Sequence, residues 1–442
     1  MKRRAFLAGA AATLAVGAEK SPEAQEQTIL ARIRPPKFPQ RDFDITKFGA
    51  RAGADSSSAI RAAITACAQA GGGRVVIPPG EFLTAAIHLR SRVELHVSQG
   101  ATLRFSRDPK DYLPVVFSRW EGTECMNYSP FIYAFEQTDI AITGSGVLDG
   151  QADAEHWWPW KKLGAADRKA LQTTAENGTA VKDRVFGEGH YLRPQFIQPY
   201  RSNNVLIEDV TIRNSPMWEI HPVLSRNVTV RNVKIDSHGP NNDGCDPECC
   251  SDVLIEGCTF DTGDDCIAIK SGRNADGRRI AAACENLIVR NCVMKDGHGG
   301  VSIGSEISGG VRNVFVSDCR MSSPHLDRAL RIKTNAQRGG VIENIWFRKV
   351  TVGEVATDAI QIDFYYEEAE AGPFKPVVRN IRISDVTCAK STDALSLRGF
   401  ASSPIHDVRV SRCTFEHAAT PNVIEHVEGL VFEDVTINGK RL

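Results

Sequence analysis

The sequence predicts an all-β fold, a single-stranded right-handed parallel β-helix closed at its N-terminal end by an amphipathic helix. Three observations predict it. First, a nonamer beginning Asn204-Val-Leu-Ile-Glu-Asp-Val-Thr-Ile212 returns eight more times, starting at Asn227, Asp252, Asn286, Asn313, Asn344, Asn380, Asp407 and Gly429. Second, each copy alternates apolar and polar residues, the mark of strands with one buried face. Third, the copies start 22 to 36 residues apart with turn residues between them. That strand-based period suits a solenoid better than helical repeats or propeller blades. The Asn or Asp opening most copies reads as a turn residue that tolerates left-handed φ and stacks along the helix, without a catalytic role.

The elements follow in order. Residues 1–18 carry Lys2, Arg3 and Arg4 before Phe6-Leu7 and an apolar stretch ending Val16-Gly17-Ala18. This is the pattern of an export signal with a twin-arginine character, too short to span a bilayer. The mature protein is expected outside the cytoplasm, periplasmic or extracellular, and free of the membrane. Residues 19–41 read as a Pro-rich connector (Pro35, Pro36, Pro39), and residues 42–442 as the β-helix domain. Within Ser56 to Ala70, Ile60, Ala63, Ile64, Cys67 and Ala68 fall at helical spacing before Gly71-Gly72-Gly73 ends the run. One short helix there would cover the open end of the sheet. Residues of about 151–195 break the repeat and form an insertion.

Length alone, 442 residues, suggests two or three domains, but the repeat overrides that prior. A net charge of -1 without a long Lys/Arg run excludes the electrostatic footprint of a nucleic-acid binder. Twelve cysteines lack the regular spacing of a small disulfide scaffold. Cys258, Cys292, Cys319 and Cys413 share one repeat position, which favours stacked small core residues. Cys245, Cys249 and Cys250 cluster, yet no CxxC pair with a distant partner supports zinc. No metal and no cofactor is expected.

Four polar clusters interrupt four consecutive coils at about one phase: Asn241-Asn242-Asp243-Gly244-Cys245-Asp246, Gly263-Asp264-Asp265-Cys266, Gly297-His298-Gly299-Gly300 and Arg331-Ile332-Lys333. Coils roughly 4.8 Å apart would stack them into one patch. Because Leu330 and Ile332 point inward, Arg331 and Lys333 must share the outer face as a cationic pair suited to an anionic ligand. Asp265 has the parity of the buried isoleucines that follow it. A regular strand would drive its charge inward, so Asp264-Asp265 is expected in a bend where both carboxylates reach solvent. Singly, each cluster is an ordinary turn; together and in order they point to chemistry.

These four motifs resemble those of the polygalacturonases, glycoside hydrolase family 28, which show Asn-Thr-Asp, Gly-Asp-Asp, Gly-His-Gly and Arg-Ile-Lys in the same order. The one departure is Asn242 in place of threonine. With the repeat, the resemblance extends over nearly all of residues 42–437. It implies hydrolysis of α-1,4-galacturonosidic bonds in pectin or oligogalacturonides. Asp264 would be the general acid, Asp243 and Asp265 would hold and deprotonate the attacking water, and His298 would tune the acid. Clustered carboxylates cannot all stay ionised cheaply, so one should keep the proton an acid needs. A separation of about 6.5–9.5 Å between acid and base would leave room for water and predict inversion. Asn241, Arg331 and Lys333 would bind substrate, the two cations through a galacturonate carboxylate. Family position also puts Tyr366 against a sugar ring, with Tyr365 an equal rival.

A pectate lyase of similar fold would need an acidic calcium cage and would leave His298 and Arg331/Lys333 unexplained. A family relative acting on rhamnogalacturonan or xylogalacturonan, and a non-catalytic polysaccharide-binding β-helix, remain as rivals. The insertion carries Trp157, Trp158, Trp160, Arg184, His190 and Arg193 immediately before the coils with the motifs. Beside the cleft it would close the groove beyond one sugar and make the enzyme exo-acting, with Arg193 or His190 on the terminal unit. Its tryptophans read equally as a sugar surface or as the packing of the insertion. Trp218 and His221 are open to the same two readings.

Overall fold

The computed structural model describes residues 21–442, so the predicted export signal lies outside the described residues. The chain winds into a right-handed parallel β-helix whose largest sheet has 22 strands. Eight nonamers open on an Asn or Asp with φ between 53° and 59°. Their amides run as a ladder: Asn227 donates to Asn204, Asn313 to Asn286, Asn344 to Asn313 and Asn380 to Asn344. The sixth residue of every nonamer, from Asp209 to Asp434, is also left-handed, with φ of 51° to 66°. Each repeat therefore bends between two strand segments rather than forming one straight strand.

The amphipathic helix is present as Ser57–Gln69, burying Ala59, Ile60, Ala63, Ile64 and Cys67. It packs on the first strands and covers the apolar end of the stack. The connector is more than a linker, because a helix, α1 (Pro22–Leu30), forms within it, capped by the Ser21 hydroxyl with Pro22 in its first turn. Ile29, with Ile33 just beyond it, packs on Leu254, Ile288, Phe315 and Trp346. These are outward-facing members of successive nonamers, an apolar row that would otherwise meet water. Among the described residues no helix is long and apolar enough to cross a membrane. All twelve cysteines are buried and unpaired.

A six-stranded parallel sheet carries the site: Ile267–Ile269, Val301–Ile303, Leu330–Lys333, Asp358–Asp363, Asp393–Arg398 and Val423–Glu425. Ile267, Val301, Leu330, Ile360 and Leu395 are in register and fully buried. The residues one step on, Ala268, Ser302, Arg331 and Gln361, align on the outer side. Single bridges continue this wall through Cys245, Ile220 and Ile197.

The insertion folds as two helices, α2 (Trp160–Leu163) and α3 (Ala165–Glu176). Trp157 is buried against Tyr112 and Phe131, and the Trp158 indole donates to the Ser215 carbonyl at 2.9 Å. The tryptophans thus seat the insertion on the coil. Arg184 is locked to Asp276 at 2.8 Å and His190 to Asp167 at 2.7 Å. A hairpin, Val116–Trp120 with Thr123–Asn127, packs beside α3.

Candidate active site

The four motifs line one cavity of about 270 Å³ that includes Asn241, Asp243, Asp264, His298, Arg331, Lys333 and Tyr366. One carboxylate oxygen each from Asp243, Asp264 and Asp265 lies within 4.8 Å of the other two. This is tighter than the separation the sequence suggested, so spacing alone does not argue for inversion.

Gly263 and Asp264 form the expected bend, but Asp265 does not reach solvent; it is 0% exposed. Its charge is met from inside the protein. Lys333 Nζ donates to Oδ2 at 2.6 Å, Ser302 Oγ to Oδ1 at 2.7 Å, and Arg331 stands 3.5 Å from Oδ1. Burial opposes ionisation, yet Lys333, Arg331 and Lys270 hold this carboxyl well below the usual range. The Arg331/Lys333 pair does share one face as parity required. It is not simply a waiting anion site, however, since Lys333 is committed to Asp265. Gly299 explains part of the Gly-His-Gly motif. A Cβ there would stand 2.3 Å from Ser302 Oγ and 3.0 Å from Asp265 Oδ1.

His298 Nδ1 donates to Asp264 Oδ1 at 2.9 Å. That bond raises the imidazole's proton affinity. Burial works against the Asp264 charge, but the His298 bond and Lys333 outweigh it and lower its pKa. The carboxyls that rise are Asp243 and Asp246, each pushed up first by burial; beyond burial, Asp243 is raised by Asp246 and Asp264, and Asp246 by Asp265. Crowding therefore raises Asp243 and Asp246 and not Asp264, the carboxyl that the resemblance makes the acid. Lys270 lies 3.9 Å from Asp243, 3.7 Å from Asp246 and 3.3 Å from Glu306. Asp243 Oδ1 has no hydrogen-bond partner among the described residues.

Asn242, the departure from the motif, is fully buried and structural. Its Oδ1 accepts from Ser237 Oγ at 2.8 Å and Gly239 N at 2.7 Å, and its Nδ2 donates to the Ser215 carbonyl at 3.0 Å. Asn241 turns toward the cavity with φ 56°. Its Oδ1 accepts from Arg193 at 2.7 Å and Lys161 at 2.6 Å, while its Nδ2 stands 3.5 Å from Asp264 Oδ2. Arg193 was expected on the substrate; instead it is 1% exposed and also donates to the Pro216 and Pro240 carbonyls. Burial pulls its guanidinium down to about 10. It positions Asn241 from behind. His190 likewise faces Asp167 rather than the cavity.

Tyr366 is the cavity-facing tyrosine, with Arg331 and Lys333 at 5.6 and 5.5 Å from its ring centre. Tyr365 packs edge-on against Phe400. Trp218 lines the cavity under Lys270, whereas His221 is buried against Glu248 at 2.8 Å. Sequence reasoning missed Glu121, Lys161, Arg168, Lys270, Glu306 and Glu367, which complete the wall. Parity after Asp265 could have placed Lys270. Glu121, Lys161 and Arg168 depend on how the hairpin and insertion dock, and Glu306 and Glu367 lie in the loops that follow two strands of the site's sheet. Arg168 spans the site, 2.5 Å from Glu121 and 3.7 Å from Glu367. The positive charge a divalent ion would bring to these acids is already supplied by Lys333, Arg331 and Lys270.

Comparisons with known proteins agree with this geometry. The glycosyl hydrolases family 28 profile matches residues 67–431. A solved hyperthermoactive exopolygalacturonase from Thermotoga maritima superposes with a TM-score of 0.93 at 46% identity, covering 96% of this chain and 97% of that one. An endo-polygalacturonase of Pectobacterium carotovorum is 30% identical over 76% of this chain and 78% of its own. An exo-poly-alpha-D-galacturonosidase of Dickeya chrysanthemi is 25% identical over 90% and 71%. With the family profile covering most of its length and the motif residues gathered in one cavity, this chain belongs to glycosyl hydrolases family 28.

Proposed function

We propose that the protein hydrolyses α-1,4-galacturonosidic bonds of polygalacturonate or oligogalacturonides from chain ends, with inversion. The observation that carries this reading is the cavity itself: three carboxylates under a wall of cations, closed on one side by the insertion. Asp264 and His298 share one proton across their 2.9 Å contact. Asp264 passes it to the leaving glycosidic oxygen, and His298 replenishes it. A nucleophilic carboxylate would have to touch the anomeric carbon. Asp243 and Asp265 are 3% and 0% exposed and too recessed for that contact. Water is small enough to reach between them. Asp243, with high proton affinity and an uncommitted Oδ1, takes the water's proton. Asp265, held ionised, stabilises the positive charge developing on the sugar.

Arg331 and Tyr366 offer a carboxylate contact and a ring face to the sugar next to the cleaved bond. The Arg168 bridge between Glu121 and Glu367 supports end attack, because an interior chain segment needs a groove open on both sides. The export signal read from residues 1–18 supports action outside the cytoplasm, where pectic polymers lie. The test is hydrolysis of polygalacturonate in the presence of chelator, followed by chromatography, viscosity and anomeric NMR. Early monomer, slow thinning and an inverted first product are expected. Rapid thinning overturns end attack; a retained product overturns the water mechanism; an ultraviolet-absorbing product means elimination.

A further inference from the structure

The wall contributed by the insertion holds a cation that the protein leaves uncommitted. Most cations around the cavity have carboxylate partners: Lys333 has Asp265, Lys270 has Asp246 and Glu306, and Arg168 has Glu121. Among the described residues Lys161 has no carboxylate within ion-pair distance. Its hydrogen bond goes to the Asn241 amide oxygen at 2.6 Å, which places its ammonium beside the catalytic acid's neighbour. Asn241 accepts from both Arg193 and Lys161, so two like charges are held close by one neutral oxygen. That arrangement favours an anion in front of Lys161.

Facing the same cavity is Glu121, at the tip of the Val116–Trp120/Thr123–Asn127 hairpin. Its φ is +40° and that of Gly122 is +81°, so both residues of the two-residue turn are left-handed. Such turns favour Asn, Asp or Gly at the first position, and Glu there carries strain. Gly122 cannot be relieved of its role, since a Cβ would stand 2.7 Å from the Arg273 backbone nitrogen. The turn is thus pressed against the coil, with Glu121 only 6% exposed and turned toward the cavity. Arg168 holds one of its carboxylate oxygens, Oε2, at 2.5 Å.

We propose that Lys161 and Glu121 together read the non-reducing chain end: Lys161 pairs with the carboxylate of the terminal galacturonate, and Glu121 accepts a hydrogen bond from its free C4 hydroxyl. The chemistry of the polymer makes the second contact the decisive one. In an α-1,4 chain every interior unit has its C4 oxygen glycosylated, and only the non-reducing terminal unit can donate a proton there. A buried carboxylate rejects a group that cannot donate to it, because the acceptor is then left unmet. This inference rests on the end-acting hydrolase reading given above and names the residues that make it end-specific.

The experiment compares reducing-end-labelled trigalacturonate with the same trimer carrying a 4,5-unsaturated terminal unit, which lacks the C4 hydroxyl. Wild type, K161Q, K161R and E121Q are assayed for kcat and KM, with Tm measured for each. Wild type should prefer the intact trimer by roughly 10- to 100-fold in kcat/KM, the worth of a hydrogen bond to a charged group. E121Q should reduce that preference to within about threefold, a change of ratio that mere loosening of the hairpin does not give. K161Q should lower kcat/KM on both trimers by roughly tenfold or more, mainly through KM, and K161R should restore part of it. An unchanged preference in E121Q together with an unchanged KM in K161Q overturns the proposal. Wild-type inactivity on the intact trimer overturns the hydrolase reading and this pair with it.

Discussion

The two walls of the cavity are built by different means. On one side Arg331 and Lys333 stand on a strand held in strict register with its neighbours and backed by a fully buried row of Val, Leu and Ile. On the other, Glu121, Lys161 and Arg168 come from a hairpin and an insertion that no repeat constrains: Arg168 pairs with Glu121, Lys161 bonds the Asn241 amide oxygen, and Trp158 ties the insertion to the coil. The first wall is rigid because the whole solenoid holds it. The second owes its position to a few side chains. On the function proposed above, chemistry sits on the first and the choice of substrate end on the second, an arrangement in which specificity can change without disturbing catalysis.

That contrast can be broken or sharpened by substitution. The largest effect is expected at the rigid wall: Asp264→Asn removes the proton donor while keeping its shape, lowering kcat by roughly 10²- to 10⁴-fold with KM little changed. Steady-state kinetics checks it, and a kcat within a few-fold of wild type refutes the role. Next, Lys333→Met strands the buried Asp265 charge. A loss of about 3–5 kcal/mol is expected in denaturant unfolding, together with loss of activity. A variant as stable as wild type means that Asp265 takes up a proton without cost.

Smaller is the effect of pH. Asp243 is raised, so it ionises only above the ordinary carboxylate range, and activity should climb as pH passes that point. His298 is raised too, and the His298–Asp264 pair loses its proton as pH passes the raised value, so activity should fall there. Lys270→Met removes a cation that favours ionised Asp243, so the acidic limb of kcat should move to higher pH and the alkaline limb should stay. Movement of the alkaline limb alone assigns the two groups the other way round. The smallest change belongs to the ladder far from either wall: Asn344→Ala breaks the bonds to Asn313 and Asn380 and should cost about 1 kcal/mol in unfolding with kinetics unaltered.

The sequence made the first wall legible because a strand repeat fixes which residues share a face. The parity of Leu330 and Ile332 placed Arg331 and Lys333, and the phase of four motifs placed three acids together. The same parity pointed Asp265 inward and the cost of a buried charge argued against it; that cost is met by Lys333 from another coil, a long-range pairing invisible in either segment alone. The second left-handed corner carried a signal, Asn, Asp or Gly at position six of most nonamers, masked by Lys349 and Arg412. For Glu121 and Lys161 there was no signal. Nothing in Trp120-Glu121-Gly122 or in Trp160-Lys161 tells that the two meet across a cavity. Arg193 misled for the opposite reason, being a charged residue in the right segment whose guanidinium is spent on carbonyls.

The sealed cysteines bear on how this molecule is handled at the bench. Twelve thiols are buried with none cross-linked, Cys67, Cys245, Cys266, Cys284 and Cys413 among them at 0% exposure. Reducing agents should therefore leave the folded protein untouched, and a thiol-alkylating reagent should find nothing to label until a coil opens. Because the cysteines are distributed from the capping helix at Cys67 to the eighth nonamer at Cys413, the order in which they become alkylated under mild denaturant would report which end of the solenoid frays first, with no engineered probe required.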